Sequence, residues 1–266
     1  SLLSFDRAGL DAARSLLESL ERGSGSVHAA LWLEVTRLWC EVLSGAGHEL
    51  EPRLEALRAS ASRERLAELV IEANVLRAAA LLNAGDLELA TQLARRVSRM
   101  ARAEAMPHEE YLAHFVLARV RRLGDHAHLA SRILGSLWKA APPPWRPWLG
   151  WELRLTGDVV PADGDPGPGA LASELIAAFV SGDPGGIEQK KAALRASLAG
   201  FAAAAREAEC LIAAIDPRVP VDTLGRDLVP WATGASTSLP FGLHSVVSNV
   251  ESPHAELAGH SWVLVS

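Results

Sequence analysis

Nine histidines are the first place to look for chemistry in this chain. The segment HEEYLAH brings together His108, Glu109 and His114, residue types that hold zinc. Two histidines four residues apart would share a helix face and reach one ion, but these two are six apart. Glu110 and His114 do have the four-residue spacing, and His126 and His128 flank a single residue near a helix start. Two-ligand fragments of this sort arise by chance, so structural or surface roles are expected and no metal or cofactor is assigned. A nucleophile is equally hard to place. Ser136, in LGSLW, lacks the G-x-S-x-G form and falls mid-helix rather than at a strand-to-helix elbow. SGDPGG gathers Gly182, Gly185 and Gly186, yet no Lys-Ser or Lys-Thr follows at P-loop spacing. The expectation is a protein without an active site.

Residues suited to recognition are easier to find. Arg95, Arg96, Arg99 and Arg102 recur at three- and four-residue spacing, and Arg119, Arg121 and Arg122 follow on the next helix. Between Arg95 and Arg154 eleven basic residues face five acidic ones, although the whole chain carries a net charge of -6. Eight tryptophans accompany only five Phe and one Tyr, and Trp138, Trp145, Trp148 and Trp151 fall within fourteen residues. Trp and Arg are enriched where binding energy concentrates, and Arg146 is placed to stack on a ring. Arg95, Arg99, Arg119, Arg122, Trp145, Trp148 and Trp151 are therefore the candidate partner-binding residues. The competing reading is that the arginines are a solvated face and the rings fill an irregular corner. A protein or peptide partner of acidic character fits best. Nucleic acid does not, because the chain is acidic overall and shows no recognition helix.

These residues must be positioned by helices. Ile71 to Met100 reads as two amphipathic helices joined by a corner at Asn83, Gly85 and Asp86, with Ser62 capping the first and Asp86 the second. The first is apolar nearly all round through Leu66, Leu69, Val70, Val75, Leu76 and Leu81, which suits a helix packed between neighbours. A second hairpin follows, with its corner at Gly124 and Asp125. Ala78 and Ala90 bracket the first corner and Ala118 and Ala130 the second, each pair 12 apart and the units offset by 40. Small residues there let the paired helices approach closely.

This unit resembles a tetratricopeptide repeat in the broad sense of the TPR-like superfamily: small residue, Gly-Asp corner, small residue, then a ridge at Ala94, Val97 and Met100. It departs from that pattern in its offset of 40 rather than 34, in Asn74 where an early tryptophan belongs, and in the late position of Pro107. The resemblance implies an all-α, right-handed solenoid of antiparallel helix hairpins over residues 1–217. It brings no catalytic residues.

A junction is expected around residues 158–169, where VPADGDPGPG is rich in turn formers. Residues 218–266 differ in texture. Five prolines from Pro217 to Pro253 break helices, while LHSVVSNV and SWVLVS suggest a short β-hairpin, closing the array or starting a further region. Cys40 and Cys210 lie in apolar helical patterns without a partner at ligand spacing, as reduced thiols of a cytoplasmic protein do. No apolar run approaches the ~18 residues that span a membrane. The functional expectation is a non-catalytic protein-interaction scaffold, with homo-oligomerisation open to it. The alternative, by analogy with repeat arms of bacterial signalling proteins and transcriptional regulators, is a sensor or oligomerisation arm whose effector domain lies outside this chain; the abrupt termini suggest such a fragment.

Overall fold

A computed structural model describes residues 11–12, 15–19, 26–124, 126–142, 145–156 and 167–215. The C-terminal hairpin expected over residues 218–266 lies outside them, as does most of the 158–169 junction. Among the described residues the fold is all-α. The helices are α1 (Val27–Leu43), α2 (Glu51–Arg63), α3 (Ala67–Asn83), α4 (Leu87–Ala103), α5 (Pro107–Leu123), α6 (Ala127–Ala140), α7 (Arg146–Thr156), α8 (Pro168–Ser181), α9 (Pro184–Ser197) and α10 (Ala202–Ile215).

One corner recurs through the first half of the chain. Gly45, Arg65, Gly85 and Ala105 all adopt positive φ, at 97°, 57°, 84° and 54°, and they fall at a constant interval along the sequence. At each corner the left-handed residue donates to a carbonyl three positions back and the next residue to one five positions back. Gly85 N–H meets Leu82 at 3.1 Å and Asp86 N–H meets Leu81 at 2.9 Å; Ala105 and Met106 reach Arg102 and Ala101 at 3.2 and 2.8 Å. This paired bond satisfies carbonyls that the helix end leaves open, and the turn favours glycine because a Cβ crowds the left-handed backbone. Helices α3, α4 and α5 accordingly have 17 residues each, separated by short turns. Asp86 caps α4 as expected, its carboxylate accepting from Leu89 N–H at 3.2 Å. Ser62 does not cap α3: it lies within α2, and α3 starts after Leu66 with no side-chain cap.

Burial repeats with the corners. Along α2, α4 and α6, the sets Leu54, Ala94, Leu134 and Leu57, Val97, Leu137 are all buried, each set stepping by twice the corner interval. Along α1, α3 and α5, Val35, Val75, Phe115 and Leu38, Ala78, Ala118 are buried in the same way. The four small residues that bracket the corners, Ala78, Ala90, Ala118 and Ala130, are fully buried at 0% exposure.

The described residues divide into two compact units, those within 1–120 and 200–203 and those within 121–199 and from 204 onward. In the first, α3 packs against α1, α2 and α4, which explains why it is apolar on more than one face. Ser98 and Arg102 of α4 bond to His114 and Glu110 of α5. In the second, α6, α7, α8 and α9 pack in succession, and Arg195 of α9 pairs with Glu209 of α10. Helix α7 is buried from Pro147 to Thr156, on every side. The start of α8 packs tightly on it, with Gly169 so near that a Cβ would meet the Gly150 carbonyl group at 2.4 Å. Only glycine fits there.

Candidate functional site

The structure separates the candidate binding residues into two kinds. Arg95 and Arg99 are exposed on α4. Trp145 is half-buried. Arg119, Arg122, Trp148 and Trp151 are interior, at 8%, 4%, 4% and 0% exposure, so they offer no surface to a partner. Four of the seven residues expected to meet a partner are therefore interior in this structure. Arg146 does stack on a ring, with its guanidinium carbon 5.7 Å from the centroid of Trp138, eight residues upstream.

Arg122 is buried because its position is an apolar one. Stepping back by one hairpin and then by two gives Leu82 and Val42, both buried. A guanidinium placed there must find compensation inside the second unit, and two helices supply it. Arg122 Nε and Nη2 donate to the Glu152 carboxylate of α7 at 2.8 and 3.2 Å, and Nη2 also donates to Glu207 Oε1 of α10 at 2.5 Å. The second Glu207 oxygen accepts from Trp151 Nε1 at 3.1 Å. Burial by itself would weaken the Arg122 charge, but the two carboxylates outweigh it and hold the guanidinium above its ordinary value. This arrangement ties the Arg122 end of α5 to α7 and α10 through charge-assisted hydrogen bonds. No sequence motif marks it; a charge in an apolar column of the repeat is the available signal.

The first unit holds buried carboxylates of its own, Glu72 and Glu109. Glu72, near the middle of α3 and 5% exposed, accepts from Trp39 Nε1 at 2.6 Å. Burial raises its pKa above the ordinary carboxylate value, and the like charges of Glu109 and Glu68 add to the rise.

Among the described residues no group of three His, Cys, Asp or Glu side chains converges. His114 instead lies 3.0 Å from Ser98 Oγ, the separation of a nucleophile and its base. Burial lowers the imidazole below its ordinary value. Ser98 sits inside α4, however, where neighbouring backbone N–H groups are engaged in the helix's own hydrogen bonds and none is free to receive a developing oxyanion. The pair reads as an inter-helix hydrogen bond. Cys40 and Cys210 are buried and unbridged, and burial pushes the Cys210 thiol up to about 12. Among the described residues no helix is long and apolar enough to cross a membrane.

What remains exposed and chemically distinctive is the outer face of α4. Arg95, Arg96, Arg99 and Arg102 all lie there, opposite the buried side formed by Ala90, Ala94, Val97 and Ala101. Comparison with known proteins adds no further guide to this face: no family model, curated protein or solved structure matches the chain.

Proposed function

We propose that this chain is a non-catalytic scaffold that binds a protein or peptide partner, organised as a right-handed, tetratricopeptide-like solenoid of antiparallel helix hairpins. The observation that carries the reading is the return of one corner at a constant interval, accompanied by the same columns of buried side chains. A step repeated in this way buries its apolar face on its neighbours and leaves long runs of helix surface available for contact. The exposed arginines of α4 support a partner that is acidic where it docks. A cytoplasmic setting suits the two reduced, buried thiols.

Affinity capture with the full chain, followed by reconstitution of each captured protein from purified components, tests the proposal. A stoichiometric complex with a second protein is expected. If no captured protein reconstitutes a complex, the scaffold reading is wrong. If sedimentation shows only self-association, the chain is better described as the oligomerisation arm of a signalling or transcriptional regulator.

A further inference from the structure

The arginines of the first unit are unevenly compensated. Arg37 lies 2.9 Å from Glu34, and Arg53 reaches both Glu34 and Glu41. Arg58 pairs with Glu55, Arg77 with Glu51, and Arg102 with Glu110. Arg95, Arg96 and Arg99 are exposed, and among the described residues no ion pair engages them. The acidic residues of α4 stand at its ends: Glu88 in the first turn, where Gln92 donates to it at 3.2 Å, and Glu104 at the C-cap. Three neighbouring guanidinium groups without a carboxylate repel one another, which disfavours the isolated chain and is relieved by an anionic partner.

Apolar side chains run beside the charges. Arg95 and Arg99 stack one turn apart, about 6 Å along the helix axis. Arg96 lies next to them, on the line that passes through Leu89 seven residues earlier, and Leu89 is 49% exposed. Leu93 and Met100 are half-buried along the same edge. Large exposed hydrophobic residues are few among those described, comprising Leu16, Val27 and Leu89, so one placed against uncompensated arginines stands out.

The geometry points to an acidic amphipathic helix of a partner protein as the occupant of this face. Carboxylates four residues apart on such a helix repeat with the same axial rise as Arg95 and Arg99, and an apolar residue on its adjoining edge would cover Leu89. A nucleic acid answers the charge but presents phosphates where the Leu89 edge needs apolar contact. This inference rests on the scaffold reading and narrows it to one surface and one class of partner.

The probe is a fluorescein-labelled synthetic helix with Glu at four-residue spacing beside a line of Leu, titrated with the full chain and followed by anisotropy. Saturable binding is expected, weakening as salt screens the charges. It should fall about tenfold or more in Arg95→Glu with Arg99→Glu and, separately, in Leu89→Ser. Arg132→Glu, an exposed position on α6, should leave it unchanged. Circular dichroism melts of each variant confirm that these exposed positions leave folding intact. The assignment is overturned if the probe does not saturate, if the α4 variants bind as wild type, or if polyglutamate or a DNA duplex binds as tightly as the probe. A captured partner that survives the Arg95→Glu/Arg99→Glu change would sink this surface while leaving the scaffold reading in place.

Discussion

Glu72 is the residue at which burial and charge conflict most directly. It lies mid-helix against Trp39 Nε1, with its ionised form disfavoured by desolvation. Because its folded-state value lies above that of the unfolded chain, the native state holds more protons than the unfolded one as pH rises between the two values. Stability therefore falls through that window and stays reduced above it. Glu72→Gln keeps an oxygen for Trp39 and removes the titration. The variant should match wild type near about pH 4 and exceed it near about pH 8 in urea unfolding. A variant equal to or weaker than wild type at the higher pH would show that the carboxylate is stabilised there by something other than Trp39.

At the scale of elements, the corner is the unit that repeats, and its four instances are not equally comfortable. Gly45 and Gly85 suit the left-handed turn, whereas Arg65 and Ala105 hold it with a Cβ present. The same two hydrogen bonds form at every corner, so the geometry is imposed by the helices that meet there. Ala105→Gly and Arg65→Gly should each stabilise the chain by about 1 kcal/mol, partly offset by the added freedom of the unfolded chain. Gly85→Ala should destabilise by about 1 kcal/mol through backbone strain alone, because nothing lies within 4 Å of the added Cβ. Chemical denaturation of the three variants checks both signs. Destabilisation by Ala105→Gly would mean that its methyl group packs more than its backbone strains.

For the molecule as a whole, the second unit is assembled around α7, whose buried length includes the charged residues Glu152 and Arg154. Arg122 connects this helix to Glu207 across 85 residues of sequence. Removing the guanidinium leaves two carboxylates in the interior, so Arg122→Ala should lose about 3–5 kcal/mol. Combining Arg122→Met with Glu152→Leu and Glu207→Gln removes the charges together and leaves an acceptor for Trp151 Nε1. That triple variant should return to within about 1 kcal/mol of wild type or exceed it. If it unfolds as readily as the single variant, the ion network contributes more than it costs to bury.

What could be read from the sequence was what neighbouring residues decide. Helical periodicity, the Asp86 cap, the glycine corner at Gly85 and the close packing at Ala78, Ala90, Ala118 and Ala130 depend on local backbone conformation and on spacing along one or two helices. The offset of 40 between two of the hairpins was legible for the same reason, and so was the placement of Arg95 and Arg99 together on one face of α4. The corners at Arg65 and Ala105 were not, since packing of the adjoining helices overrides the residue's own preference. The interior positions of Arg122, Trp148 and Trp151 were hidden as well. A run of tryptophans and arginines looks the same whether it faces water or a core, and the carboxylates that compensate Arg122 come from residues 30 and 85 positions away. Only tertiary structure brings those groups within hydrogen-bonding distance. It thereby decided which basic residues are part of the core and which, on α4, are left exposed without a carboxylate.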